Sequence, residues 1–118
     1  MYQVNFSNQA MGEINKLSKP AQFEIIEKLS SITPEDLASG KGELGSFHRF
    51  GRNFYRLRVG DYRIYFEISE QNQTISANDV LHKHTLADFV FLFKLPFTEE
   101  TMIEQEDNFW KYLESLKK

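Results

Sequence analysis

Apolar and polar positions alternate through the middle of the chain, and this alternation predicts a β-hairpin over Asn53–Ile68. The two alternating segments flank Gly60-Asp61, a pair typical of a tight hairpin turn. One face of the hairpin is expected to point into the core, with Tyr55, Leu57, Val59, Ile64, Phe66 and Ile68. The opposite face is expected to be exposed and to carry Phe54, Arg56, Arg58, Arg63, Tyr65 and Glu67.

The chain before the hairpin predicts one strand and two helices. Tyr2–Phe6 alternates as a strand does, and Ser7 is suited to cap the helix that follows. Pro20 suits the first turn of a second helix. Helical spacing gives each helix one apolar face, with Ala10, Met11, Ile14 and Leu17 in the first helix and Phe23, Ile26, Leu29 and Ile32 in the second.

The glycine-rich stretch Ser39–Ser46 predicts a loop, and Thr74–Leu81 predicts a further strand, whose alternation is blurred by Asn78-Asp79. Leu86–Phe93 predicts a short helix packed on the body of the protein, with its aromatic residues in the core. Thr98–Leu116 predicts a last helix, capped by Thr98. Its apolar stripe comprises Met102, Phe109, Tyr112, Leu113 and Leu116.

Composition narrows the class of protein. The 118 residues suffice for one domain whose core needs no covalent cross-links. The absence of cysteine excludes disulfides and thiolate metal sites. The N-terminus lacks the basic start and apolar run of a signal peptide, and no stretch approaches the ~20 apolar residues of a membrane helix. We therefore expect a cytoplasmic protein that does not contact a membrane.

Charge is segregated along the chain. The net charge of −3 and the pI of about 5.6 taken alone argue against a nucleic acid partner. Yet every arginine falls in one short window, at Arg49, Arg52, Arg56, Arg58 and Arg63. Acidic residues gather in another window, from Glu99 to Asp107, which contains no Lys or Arg. This acidic stretch is either a solvated helix face or a cover that lies across the basic sheet, and the sequence does not orient it.

The arginine-bearing face of the hairpin is the main chemical signal. Planar guanidinium groups bind phosphate through two hydrogen bonds and stay charged at any working pH. Phe54 and Tyr65 would lie beside them and could stack on a base. The alternative is a solvated sheet face held by cross-strand pairs such as Arg58 with Glu67, and spacing alone does not decide between the two.

A histidine-containing segment is the second signal. His82-Lys83-His84 comes at the end of the last predicted strand, where histidine could transfer a proton near neutral pH. No third ligand accompanies the two histidines, so no metal is expected, and the alternative is a set of surface residues entering a helix. His48 is either an RNA-facing or a solvated loop residue, and Glu43 is either a loop base or simply exposed.

The order of these elements resembles the RelE/ParE toxin superfamily. The segments that carry the resemblance are FYRLRVGDYRIYFEI and the V-L-H-K-H block, and the similarity extends from Tyr2 to about Phe89. It implies an α+β fold, a small twisted antiparallel sheet with two N-terminal helices packed on one face, to which this chain adds a C-terminal helix. The single domain would span 1–118, with a core of about 1–94 and a helical extension of about 98–117.

The resemblance also implies site residues. Arg56 and Arg58 match the family's basic positions on the strand before the turn, and Arg63 matches its arginine after the turn. Lys83 falls where RelE itself has another arginine, and Phe89 falls where RelE has a tyrosine. The resemblance makes His82 or His84 the candidate proton donor. Glu43 falls near a loop glutamate of the YoeB branch and is the candidate base. The acidic pI and the extension of about thirty residues beyond Phe89 depart from the family pattern.

The leading expectation is a ribosome-dependent mRNA endoribonuclease that needs neither metal nor cofactor. The ribose 2′-OH would attack the adjacent phosphorus, and the arginines would stabilise the charge that develops there. RNA contacts are expected from His48, Arg49, Arg52, Phe54, Tyr65 and Phe89. The expected partners are an antitoxin, the ribosome and mRNA, in a homodimer or a toxin–antitoxin hetero-oligomer. Two alternatives stay open, which are a gyrase inhibitor of the ParE kind and an interaction module whose acidic C-terminal helix masks the basic face.

Overall fold

A computed structural model describes residues 2–40, 43–96 and 100–116, without the side chains of Glu100 and Thr101. The strands are β1 Gln3–Phe6, β2 Leu44–Arg49, β3 Arg52–Val59, β4 Tyr62–Ser69 and β5 Thr74–His82. The helices are α1 Asn8–Ile14, α2 Lys19–Ser30, α3 Pro34–Ser39, α4 Lys83–Leu92, α5 Glu100–Ile103 and α6 Asp107–Ser115. The predicted cap Thr98 and its neighbour Glu99 lie outside the described residues.

The strands form one sheet in the order β1-β5-β4-β3-β2. Strands β2 to β5 are joined by tight turns and therefore pair antiparallel. β1 instead lies beside β5 at one edge of the sheet and pairs parallel to it. A parallel pair cannot be joined by a tight turn, and here the helices carry the chain away from β1 before the other strands begin. The predicted α+β class is confirmed, with a sheet that is mixed rather than wholly antiparallel.

Helices α1 and α2 cover one side of the sheet and build the first core. Ser7 and Ser18 cap them, with Oγ accepting from the backbone N–H of Ala10 and Ala21 respectively. The buried helical residues are Ala10, Ile14, Ile25 and Leu29, and Ile32, which follows the end of α2, is buried with them. The prediction for α2 was therefore wrong at Phe23 and Ile26, which are exposed, because Ile25 and Leu29 set the face that meets the sheet.

Strand β2 was missed by the sequence analysis, which predicted a loop as far as Ser46. Leu44–Arg49 pairs antiparallel with β3 and reverses direction at Phe50-Gly51. Both turn residues have positive φ, 56° at Phe50 and 72° at Gly51, as the commonest two-residue hairpin turns require. This second hairpin brings Arg49 and Arg52 together at one end of the sheet.

Strand β5 contains a β-bulge at the place where its alternation was blurred. Tyr65 pairs with Asp79 but Phe66 pairs with Ala77, so Asn78 is the extra residue. The Asn78 side chain donates a hydrogen bond of 2.9 Å to Glu67 Oε1. The bulge resets the alternation, so Asp79 is buried beside Tyr65.

Helix α4 departs from the prediction that its aromatic residues lie in the core. Phe89 is buried, but the aromatic residues Phe91 and Phe93 are 83% and 44% exposed, and Leu92 between them is also exposed. The helix is short and ends at Leu92, so only one of its faces can meet the body of the protein. No helix among the described residues is long and apolar enough to cross a membrane.

Tyr2 ties the start of the chain to the turn between β4 and β5. Its hydroxyl donates a hydrogen bond of 2.7 Å to Glu70 Oε1. That hydrogen bond, with burial as a second cause, raises the pKa of Tyr2 from 10.0 to about 12. Because the folded state holds the phenolic proton more tightly than the unfolded state, this contribution to stability is complete below pH 10 and is lost as the pH rises toward 12.

We therefore expect the midpoint of thermal unfolding to fall between pH 10 and pH 12 by a larger amount in the wild type than in Tyr2→Phe. The variant keeps the ring and removes the proton, so it controls for the lysines that titrate in the same interval. Calorimetric scans of both proteins at matched ionic strength make the measurement. An equal fall in the two proteins would contradict this assignment.

Candidate functional site

The arginines of the hairpin share one face of the sheet, as predicted. Arg56 pairs across the sheet with Tyr65, and Arg58 pairs with Arg63. Alternation along β3 adds Phe54 to the same side. We call these five residues the arginine face. It places two arginines directly opposite each other, an arrangement that favours an anionic group beside them.

The arginine face is not exposed, and this part of the prediction was wrong. Arg56 and Arg63 are only 4% and 7% exposed, and Phe54 and Tyr65 are buried. The physical reason is that residues 100–116, which we call the cover segment, pack on this side of the sheet. The resulting second core comprises Phe54, Tyr65, Leu81, Leu86, Phe89, Ile103, Phe109, Trp110 and Leu113.

Trp110 is the centre of the contact between the cover segment and the arginine face. Its ring centroid lies 5.1 Å from that of Phe54 and 5.7 Å from that of Tyr65. Phe47 on β2 completes the contact at 5.2 Å. Such tilted and edge contacts add to the free energy of burying the rings.

Glu104 projects from the cover segment onto the arginine face and is fully buried. Its Oε2 accepts hydrogen bonds from Arg56 Nε at 3.0 Å and from the Tyr65 hydroxyl at 2.7 Å. Its Oε1 accepts from a terminal nitrogen of Arg56 at 3.2 Å. The other terminal nitrogen of Arg56 donates to the backbone oxygen of Glu43 at 3.0 Å. The carboxylate thus occupies an anion site that the sheet itself builds.

The predicted single C-terminal helix is two helices, and Glu104 lies at the break. α5 ends at Ile103 and α6 begins at Asp107. The break shifts the helical phase, so Ile103 is buried while the predicted stripe residue Met102 is exposed. The Trp110 indole N–H donates a hydrogen bond of 2.8 Å to the backbone oxygen of Glu104 and thereby fixes the turn between α5 and α6.

Arg49 and Arg52 form the rim of the site and meet acidic groups of the cover segment. Arg49 Nε lies 3.5 Å from Asp107 Oδ1, and an Arg49 terminal nitrogen donates to the Gln105 backbone oxygen at 3.3 Å. Arg52 pairs with Glu67 and also lies 3.6 Å from Glu114 Oε1. The acidic stretch therefore lies across the basic sheet. Glu67, foreseen as a partner of Arg58, pairs with Arg52 instead.

Arg63 has a structural contact as well as its place on the face. One terminal nitrogen donates to the backbone oxygens of Gly60 at 2.9 Å and Tyr62 at 3.1 Å. These bonds fix the hairpin turn that carries Arg58 and Arg63 on either side. Replacing Arg63 would therefore disturb the turn together with the charge.

The histidine segment lies where β5 passes into α4, away from the arginine face. His82 pairs with Tyr62, whose ring packs against the first core, whereas Leu81 is the residue opposite Arg63. The His82 Nδ1 accepts from the His84 backbone N–H at 3.1 Å and caps α4. The structure brings His82, His84 and Lys83 together with each other, and Lys83 with Asp61 at 3.3 Å, but not with Arg56.

The other predicted site residues are spread around the fold. The Glu43 side chain is exposed, and only its backbone faces Arg56 and Arg58. His48 is exposed on β2 and its Nδ1 lies 2.9 Å from Asn53 Oδ1. Phe89 is buried beneath the cover segment, with its centroid 5.5 Å from that of Phe109. None of these three side chains therefore lies beside the Arg56 guanidinium, where it could contact the same ligand.

Two buried acids, Glu104 of the cover segment and Asp79 of β5, were missed as residues of the site. Glu104 was noted only as part of an acidic stretch, and Asp79 only as a break in alternation. The buried Asp79 lies opposite Tyr65 and faces the cover segment. Burial raises the pKa of Tyr112, and the charges of Asp88 and Asp79 raise it further.

No group of three side chains suited to a metal ion occurs within 2–40, 43–96 and 100–116.

Comparison with known proteins gives a consistent result. The family model for the ParE toxin of type II toxin–antitoxin systems (parDE) matches residues 4–86. In the archaeal RelE–RelB complex from Pyrococcus horikoshii OT3, one chain matches at 21% identity and a TM-score of 0.55, over 69% of this chain and 93% of that chain. The RelBE2 toxin–antitoxin complex from Mycobacterium tuberculosis matches at 20% identity and a TM-score of 0.50, over 69% and 96%. No curated protein matches.

The match of the family model shows a toxin domain of the RelE/ParE superfamily, as the hairpin motif predicted, and the fold agrees with that of the archaeal RelE chain. More particularly, the chain belongs to the ParE toxin family of type II toxin–antitoxin systems. The matched region ends at residue 86, so the cover segment lies outside it.

Proposed function

We propose that this protein is a toxin that binds mRNA through its arginine face and cleaves it at the ribosome. The single observation that supports this most is the anion site of Arg56 and Tyr65, which already holds the two oxygens of a carboxylate. A phosphodiester presents its two non-bridging oxygens with similar spacing and charge. The same donors can therefore hold a scissile phosphate once Glu104 is elsewhere.

In the proposed reaction the ribose 2′-OH loses its proton to water and attacks the adjacent phosphorus. The bond from phosphorus to the 5′-oxygen breaks, a 2′,3′-cyclic phosphate forms, and the expelled 5′-oxygen takes up a proton. Arg56 and Arg58 would stabilise the extra negative charge on the phosphorus-centred transition state. Tyr65 is the proton-bearing group that lies on the same face as Arg56, with its hydroxyl directed to the anion site. His82 and His84 would need to reach around the end of β5 to take part.

We also propose a cognate antitoxin as partner. The two solved structures named above are complexes of a toxin with its antitoxin. A covered arginine face does not replace such a partner, because the antitoxin can contact surfaces that the cover segment leaves open. Cytoplasmic location remains the expectation from the sequence.

The test is primer-extension mapping of a reporter mRNA after induced expression in a bacterium. Because the arginine face is covered, the assay protein is Glu104→Lys, in which a lysine faces Arg56 and the closed arrangement is disfavoured. We expect cuts in the translated frame that require translation. In the double variant with Arg58→Gln, we expect the cutting rate to fall about 10²–10³-fold, the effect of removing one donor that stabilises a transition state.

The matched control is Lys28→Gln in the same background, which removes a cation on α2, on the opposite side of the sheet. It should leave the cuts unchanged. Growth arrest with intact mRNA would refute the ribonuclease mechanism.

The family match supports a second candidate, inhibition of DNA gyrase without chemistry. It predicts a DNA damage response on induction and intact mRNA. It also predicts that Tyr65→Phe, which keeps the ring and removes the hydroxyl, stays toxic. The nuclease predicts that Tyr65→Phe cuts mRNA more slowly, because proton transfer typically contributes about 10²–10⁴-fold to a rate.

A further inference from the structure

We propose that the cover segment is an intramolecular inhibitor, in which Glu104 takes the place of a substrate anion on Arg56 and Tyr65. A phosphate-bearing ligand and the closed cover segment then exclude each other. The inference rests on the proposed function in taking the arginine face as the working surface. It does not depend on whether the target is RNA or another macromolecule.

The hydrogen bonds of Glu104 are those expected of a ligand in a built anion site. Arg56 donates from two nitrogens to the two carboxylate oxygens, and the Tyr65 hydroxyl donates to one of them. Arg56 and Tyr65 are paired residues of β3 and β4, so the sheet positions these donors independently of the cover segment. The site therefore exists as soon as the hairpin folds, and Glu104 fills it.

The buried ion pair between Arg56 and Glu104 adds little to the free energy that attaches the cover segment to the sheet. Removing both charges from water offsets much of their attraction, and an apolar pair of similar volume often holds as well or better. Attachment is already provided by Phe109, Trp110 and Leu113, all of which are buried against the sheet. The role that distinguishes a carboxylate from an apolar side chain here is occupation of the anion site.

The cover segment can leave without breaking the sheet. No backbone–backbone hydrogen bond joins residues 100–116 to the strands in the part of the chain that the structure describes. The contacts are made by side chains, in the ring cluster around Trp110 and in the rim pairs of Arg49 and Arg52. The family match ends at residue 86, so the toxin domain common to the family comprises the sheet without this segment.

Trp110 is the only tryptophan in the chain and lies between the cover segment and the sheet. Its fluorescence therefore reports directly whether the segment is closed. The experiment compares the wild type with Glu104→Lys and with the matched control Glu106→Lys, which changes the same charge two residues away. Circular dichroism establishes that each protein is folded, acrylamide quenching measures the exposure of Trp110, and colony counts after induction measure toxicity.

We expect Glu104→Lys to remain folded, to quench more strongly at Trp110, and to reduce colony counts at least about tenfold relative to the wild type, because a larger fraction of molecules is competent. Glu106→Lys should match the wild type in all three measurements. Equal toxicity of the wild type and Glu104→Lys would overturn the inference, and so would an opened Trp110 without any gain in toxicity.

The outcomes for the two proposals can be separated. Greater toxicity of Glu104→Lys without mRNA cuts supports the intramolecular inhibitor and refutes the nuclease. Equal mRNA cutting by the wild type and Glu104→Lys supports the nuclease and refutes the inhibitor. If Glu104→Lys does not fold, the pair Asp107→Lys and Glu114→Lys reverses the rim charges that face Arg49 and Arg52 and leaves Glu104 in place. The same gain in quenching and toxicity is then required.

Discussion

Glu104→Ala is expected to lower the free energy of unfolding by about 3–5 kcal/mol, because it leaves the buried Arg56 guanidinium without its counter-charge. Arg56 is 4% exposed, and within the part of the chain that the structure describes its Nε and one terminal nitrogen donate only to Glu104. The Tyr65 hydroxyl loses an acceptor in the same substitution. Urea unfolding followed by Trp110 fluorescence and by circular dichroism makes the measurement.

In the Glu104→Ala experiment, Trp110 fluorescence reports release of the cover segment, whereas circular dichroism reports unfolding of the backbone. If the cover segment is released before the sheet unfolds, Trp110 changes at a lower urea concentration than the backbone signal does. The control Glu106→Ala should change stability by no more than about 0.5 kcal/mol. The double variant Arg56→Met with Glu104→Leu should recover most of the loss, because it removes both charges and keeps the volume. A loss below about 1 kcal/mol in Glu104→Ala would mean that the pair is solvated, contrary to its burial.

Trp110→Ala is expected to lower the free energy of unfolding by a similar amount, about 3–5 kcal/mol. The indole ring contacts Phe47, Phe54 and Tyr65, and its N–H holds the backbone oxygen of Glu104. Alanine leaves a cavity in the middle of the second core, because the sheet beneath cannot move to fill it. Circular dichroism replaces fluorescence as the signal, since the variant has no tryptophan.

Phe91→Ala is the matched control for this substitution, since it also removes a large aromatic ring from the C-terminal third of the chain. Phe91 is 83% exposed, so its loss should change stability by no more than about 0.5 kcal/mol. Equal losses in Trp110→Ala and Phe91→Ala would show that Trp110 is not packed as described.

The fold was predictable where a pattern is local. The hairpin of β3 and β4 follows from alternation on both sides of Gly60-Asp61, and period two correctly predicts which residues share each face, though not that the arginine face is buried. Strand β2 was not predictable in the same way. Gly45 weakens its strand propensity, and the turn at Phe50 uses a residue that rarely takes positive φ.

The arginine side of the site was predictable and the acidic side was not. Spacing along two strands fixes which residues share a face, so Arg56, Arg58 and Arg63 fall together. Whether that face meets water depends on a distant segment, whose Glu104 follows Tyr65 by 39 residues and Arg56 by 48. Charge segregation favours a contact between the two without orienting it. The contact of Glu104 with this face was not predicted, because the sequence pattern was interpreted as one continuous helix through the break between α5 and α6.

The sheet of this protein can form with all its strands once His82 has emerged from the ribosome, whereas Glu104 emerges roughly twenty residues later, or about 1–4 s at ordinary rates of translation. N-terminal parts of a chain fold first during synthesis. Every newly made molecule therefore passes through an interval in which the arginine face can be complete and the residue that fills its anion site has not yet left the ribosome. A toxin that acts on translating ribosomes would be uncovered for that interval beside the very ribosome that is making it.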